Sequence, residues 1–155
     1  QEQSNVGLDE RCAGLEDAFS GTVTNEFVGL DADQTEQING IKAILEADES
    51  IDGFLGTGPV IAVNGLTAAN DLGRELVIGG FDVTPDIIDA IESGAIAFTV
   101  DQQQYLQGYL PVVLMFLQAT NQNTAGGGLP ILTGPGFITP DNAAAVKALV
   151  AEGTR

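Results

Sequence analysis

Histidine and tryptophan are absent from this chain, and cysteine and methionine occur once each. Without histidine there is no Ser–His or Cys–His nucleophile pair, no imidazole ligand for zinc, and no imidazole base titrating near neutrality. The lone Cys12 excludes an internal disulfide. Basic side chains are scarce too: five Lys and Arg stand against 22 Asp and Glu, a formal net charge of −17. Such a surface repels phosphate backbones and anionic lipid, so neither nucleic acid nor membrane is a natural partner. The acids are scattered rather than gathered in a tail, which reads as a solvated surface suited to high salt or an extracytoplasmic setting. Long apolar runs are missing: the longest, 110–117, is far short of the roughly 20 residues that span a bilayer. Carboxylates are numerous, yet no spacing singles out a catalytic pair. The chain reads as a non-enzyme with no metal and no cofactor.

What is present fits one domain. The chain has 155 residues, 44% of them apolar, enough for a packed core. Its periodicity alternates between helix and strand. Leu8, Cys12, Leu15 and Phe19 recur at helical spacing, which puts Cys12 on an apolar stripe as a buried, inert thiol, and Gly21 ends the segment. Residues 23–30 read as a strand. Asp33 caps a helix with an Ile38, Ile41, Ile44, Leu45 stripe. A strand over 53–57, a helix over 59–70 and a strand over 75–81 follow. Thr84-Pro85-Asp86 is a strong helix start, and Thr139-Pro140-Asp141 repeats it. Between them lie a strand over 95–100, a helix over 103–120 with Pro111 expected to kink it, and an extended crossing over 130–138. The class is α/β, a Rossmann-like three-layer arrangement with a mainly parallel sheet. The first helix has no strand before it, so the sheet is expected to have an unfinished edge, and the opening QEQSN reads as a processed or truncated start.

The stretch 78–109 concentrates the functional signal. One strand delivers Asp82 and the next delivers Gln102, each followed by a helix. Two polar side chains thus arrive at the same end of neighbouring strands, where open α/β sheets bind small polar ligands. Gly56-Thr57-Gly58, with Asp82 about two dozen residues later, partly matches a dinucleotide fingerprint. Ile61 replaces its third glycine and Pro59 removes a backbone donor, so a plain strand-to-helix turn is the simpler reading.

In order along the chain, DERCAGL at 9–15, GFLGTGP at 53–59, GFDVTP at 80–85, TVDQQ at 99–103, YLQGY at 105–109 and LTGPGFI at 132–138 resemble the C-terminal lobe of type I periplasmic binding proteins, the sugar receptors of ABC importers. The resemblance covers nearly the whole chain. It implies one of two Rossmann-like lobes that close on a neutral sugar or polyol without chemistry and then present it to a membrane permease. The upstream lobe and the first strand of this lobe would be missing, leaving chain 1–155 as a single C-terminal lobe that needs that lobe or a second chain. Such receptors work in the periplasm or outside the cell, some as lipoproteins.

By position, the resemblance assigns ligand contacts to Arg11, Thr57, Asp82 and Gln102, with Asn5 a weaker candidate. An aromatic that stacks on the sugar falls near Ala32, which cannot stack. Arg11 would donate a fork of bonds to vicinal hydroxyls, Asp82 would accept from hydroxyls, and Gln102 would do both. Each also has a plainer role: Arg11 neutralising its acidic neighbours, Asp82 capping the helix at Thr84, Gln102 ending a strand, Thr57 serving the turn. Asp101 and Gln103 are expected to point away from Gln102. Two rivals stand beside this reading. One is the effector domain of a LacI-like regulator, for which no basic headpiece is present in the sequence; the other is a dinucleotide-binding enzyme domain.

Overall fold

Thr84, Asp33 and Pro59 start helices where their chemistry places them, and the strands between those helices form one sheet. The computed structural model describes residues 5–29 and 33–155. Its elements are α1 (Val6–Ala18), α2 (Gln34–Ala47), β1 (Gly53–Leu55), α3 (Pro59–Asp71), β2 (Val77–Phe81), α4 (Pro85–Glu92), β3 (Phe98–Asp101), α5 (Gln104–Asn121), β4 (Gly136–Ile138) and α6 (Ala143–Ala151). The four-stranded sheet runs β1-β2-β3-β4. The first three strands are parallel, with Leu55 opposite Gly79 and Phe81 opposite Val100, and β4 returns antiparallel with Val100 opposite Phe137.

Strand alternation gives the sheet two unlike faces. Ile78, Thr99 and Ile138 point to one side, into a core with Ala62, Ile87, Ile88, Ile91 and Ala143 from α3, α4 and α6. A second cluster of Ile41, Leu45 and Ala68 seals α2 against α3, and Phe54 bridges the two. Burying three isoleucines of α4 completely stabilises that contact by about 1.5–3 kcal/mol per side chain. The other face carries Val77, Phe98 and Phe137, and α1 meets it where the Arg11 guanidinium lies 4.7 Å over the Phe81 ring. Among the described residues no helix is long and apolar enough to cross a membrane.

Three local expectations change. Residues 23–29 form no strand: a strand exists by pairing, and among the described residues β1 has a ladder partner only in β2. The segment is held instead by Val28 against α2 and by Gln37 Nε2 donating to the Gly29 carbonyl at 2.9 Å. Leu30 and Ala32, with the expected stacking position, lie outside the described residues. The α1 stripe enters no core; the helix has no buried residue, and Cys12 is half-buried rather than enclosed. At the far end the Thr139 hydroxyl does not start the last helix. Asn142 closes that turn, accepting the Thr139 N–H at 2.9 Å and donating to the Phe137 carbonyl at 3.0 Å, and α6 begins one residue later. The helix around Pro111 runs unbroken from Gln104 to Asn121, yet it too buries nothing.

Candidate functional site

Asp82 follows β2 directly and carries φ of 66°, a left-handed conformation that aspartate tolerates better than most side chains. The surrounding bonds hold it there. Its N–H donates to the Val100 carbonyl at 2.8 Å, and its own carbonyl accepts from the Thr99 hydroxyl at 2.7 Å. The carboxylate is thereby turned to the carboxyl end of the sheet. Capping of α4 falls to Thr84, whose hydroxyl accepts the Ile87 N–H, so Asp82 is not needed for it.

Two side chains converge on that carboxylate. Gln102 Nε2 donates to Asp82 Oδ1 at 2.6 Å, and Arg11 Nη1 donates to Oδ2 at 3.2 Å. Arg11 Nη1 also donates to the Thr57 carbonyl at 2.6 Å, so α1 is tied to the β1–α3 turn and to the end of β2 together. The ion pair is four-fifths buried on both sides, at 21% and 22% exposure, where screening by solvent is weak. Arg11 thus pairs with Asp82 and not with its neighbours Asp9 and Glu10. Among the described residues its Nε and Nη2 have no acceptor, and each Asp82 oxygen keeps a lone pair.

Thr57 is buried, and its backbone carbonyl is what enters the constellation. The turn it belongs to is tight: a Cβ on Gly56 would collide with the backbone of Ala62 in α3. Asn5 caps α1 through the Gly7 N–H at 3.1 Å. Asp101 turns away from Gln102 to Arg155, while Gln103 turns to the carbonyl of Thr133, whose hydroxyl in turn holds the Gln102 carbonyl.

A cleft of about 620 Å³ opens beside these groups. Arg11, Asp82 and Gln102 form its polar side, with Phe81 and Val100 of the sheet. Leu110, Pro111 and Leu114 of α5 and residues 131–135 form the other. Gln107 also lines it and donates to the Gln102 carbonyl and to Gln102 Oε1, each at 3.2 Å. No sequence expectation gives Gln107 a role; its place five residues after Gln102, at the start of the next helix, is the signal that marks it. Burial raises the Cys12 thiol above its ordinary pKa, and Glu16 and Asp9 push the same way. Cys12 does not line the cleft, and the groups that do offer donors and acceptors suited to hydroxyls.

A family model described as periplasmic binding protein domain matches residues 2–123. Among curated proteins, the xylose/arabinose-binding protein of Sulfolobus acidocaldarius is 29% identical over 145 residues, 88% of this chain and 36% of that protein. The ribose import binding protein of Haemophilus influenzae is 29% identical over 106 residues, 67% of this chain and 36% of that protein. A carbohydrate transporter from Acidothermus cellulolyticus, solved in complex with myo-inositol, superposes with a TM-score of 0.92 at 37% identity over 100% of this chain and 54% of that one. The Caulobacter myo-inositol binding protein, at 20% identity and a TM-score of 0.67, shares the fold. This chain thus spans 36% of the curated relatives' length.

Proposed function

Because the chain belongs to the periplasmic binding protein domain family, we propose that it is one lobe of an ABC-import receptor that captures an uncharged sugar or polyol without transforming it. The observation that carries this is the convergence of Arg11, Gln102 and Asp82 at one rim of the sheet. Charged groups paired with each other, but not saturated, suit hydroxyls that donate and accept at once. An analogue lacking a hydroxyl would leave one of them unpaired, which gives discrimination. The 37% identity over the whole chain to a protein holding myo-inositol makes that cyclitol the first ligand to test.

The complete protein would hold a second lobe, close on the solute and deliver it to a membrane permease from the periplasm or the cell exterior. The shape of this chain supports that organisation. Helix α5 buries none of its residues and exposes Val112, Met115 and Phe116, as a helix does when its partner lies elsewhere. Among the described residues β1 is an edge strand with a ladder partner on one side only, which suits a sheet completed by a further strand. The reported relatives are named as a xylose/arabinose-binding protein, a ribose import binding protein and a carbohydrate transporter, and lend no support to a regulator's effector domain.

A thermal-shift panel on the complete protein tests the reading. Myo-inositol or a related neutral polyol or sugar should raise the melting temperature, while nucleotides leave it unchanged. A shift with NAD and none with any sugar would overturn it.

A further inference from the structure

We infer that Asp101 and Arg155 form a latch that aims Gln102 at Asp82, acting through the backbone without touching the solute; its effect on affinity rests on the proposed solute site. Asp101 ends β3, and its side chain is 0% exposed. A carboxylate withdrawn that far from water must be paired and hydrogen-bonded. Its Oδ2 accepts from Arg155 Nε at 2.8 Å, and its Oδ1 accepts the Gln103 N–H at 2.7 Å.

The second bond reaches two residues ahead, the geometry by which aspartate closes a local turn. It holds Gln103 at φ of 59°, in the left-handed region that a glutamine adopts only under constraint. Gln102 sits between these two fixed residues. Thr133, on the returning segment, closes the other side: its hydroxyl donates to the Gln102 carbonyl at 2.8 Å while its own carbonyl accepts from Gln103 Nε2. The β3–β4 ladder ends at the same level, with Asp101 opposite Gly136. Packing there is close, since a Cβ on Gly134 would lie 3.0 Å from the Asp101 carbonyl.

The direction in which β3 leaves the sheet is therefore set at 101, 103 and 133. The Gln102 side chain inherits that direction, which brings Nε2 within 2.6 Å of Asp82. In a chain with only five basic residues, one is assigned to this buried carboxylate. Arg155 lies beyond α6, so the latch also ties the segment after the last helix to the rim of the cleft.

The test uses the complete protein labelled with ¹⁵N-glutamine, the Gln102 side-chain amide being assigned by its loss in Gln102→Leu. A side-chain amide bonded to a carboxylate gives two well-separated, exchange-protected protons, and that signature is read without ligand. Asp101→Ala should abolish it and raise the Kd for the bound polyol about ten-fold, which is 1.4 kcal/mol. Arg155→Ala should do the same. Asp101→Asn placed on Arg155→Ala should restore both readouts, because the amide keeps an oxygen for the Gln103 N–H and needs no counter-charge. Thr133→Val, which removes one hydroxyl at nearly constant volume, should move both readouts part of the way and decides the matter if Asp101→Ala does not fold. An unchanged ligand-free Gln102 signal in Asp101→Ala or Thr133→Val, even with a lowered melting temperature, overturns the latch, as does a wild-type protein lacking the signature. A wild-type protein that shows the signature but binds no sugar or polyol removes the functional reading and leaves the latch standing.

Discussion

Arg11 and Asp82 are 71 residues apart in sequence and meet at 3.2 Å, a guanidinium from the first helix on the carboxylate just past β2. The acid is thus neutralised before any ligand arrives, and the arginine is fixed between that carboxylate, the Thr57 carbonyl and the Phe81 ring. A preorganised pair of this kind lowers the entropy lost on binding.

Arg11→Lys separates a planar fork from a point charge. Lysine keeps the positive charge but loses the second nitrogen and the flat contact over Phe81. In the complete protein it should weaken polyol binding about ten-fold by isothermal titration. Affinity equal to wild type would mean that Arg11 serves only to balance Asp82.

Anionic sugars should be rejected. All five bases already have partners: Arg11 with Asp82, Lys42 with Asp71, Arg74 with carbonyls, Lys147 with Asp89 and Glu92, and Arg155 with Asp101. Among the described residues no spare cation faces a phosphate or uronate, and the −17 field of this chain repels both. Competition titrations should show no displacement of the neutral ligand by its phosphate ester, and little change of neutral-ligand affinity with salt. Displacement by the ester would refute this.

Arg74→Ala should lower stability without changing binding. The guanidinium donates to the carbonyls of Leu45, Asp48, Glu49 and Ile51, closing the end of α2 and the turn into β1. Removing it leaves two part-buried acceptors, the Leu45 and Ile51 carbonyls, without their donor and costs about 2 kcal/mol, read as a lower urea midpoint with an unchanged slope. A loss of ligand affinity comparable to the loss of stability would place Arg74 in the site's support.

Cys12 should react slowly. Burial raises its pKa, with Glu16 and Asp9 adding to the effect, so the neutral thiol predominates at pH 7. Alkylation in the folded protein should lag behind the unfolded chain and rise only above the ordinary thiol range. A folded pKa above the unfolded value gives a stability contribution present below the unfolded pKa and lost as pH rises through the folded one. Cys12→Ser should leave binding intact, and rapid labelling at pH 7 would contradict the assignment.

Local signals were legible wherever a residue acts on its own backbone. Thr84 and Asp33 cap the helices they were expected to cap, and Pro59 stands at the start of α3. Asp82 and Gln102 could be placed at one rim because a parallel sheet puts successive strand ends on the same side. What could not be read depends on pairing across distance. The run 23–29 has strand composition, but composition cannot supply the neighbour that a ladder needs. The α1 stripe has core spacing, yet whether a stripe is buried depends on what lies opposite it. Asn142 displaced Thr139 because both can close the same turn and only tertiary geometry chooses between them. Asp101 was expected only to turn away from Gln102, since Arg155, 54 positions on, is not visible from its surroundings in sequence.

The most direct test is a pair of calorimetric titrations of the complete protein with myo-inositol and, where that fails, with the polyol or sugar that raises its melting temperature. Wild type should bind, and Asp82→Ala, which leaves Arg11 and Gln102 without their shared acceptor, should bind about 30-fold more weakly, a loss of about 2 kcal/mol. Superimposable isotherms for the two proteins would contradict the claim that Arg11, Asp82 and Gln102 form the solute site.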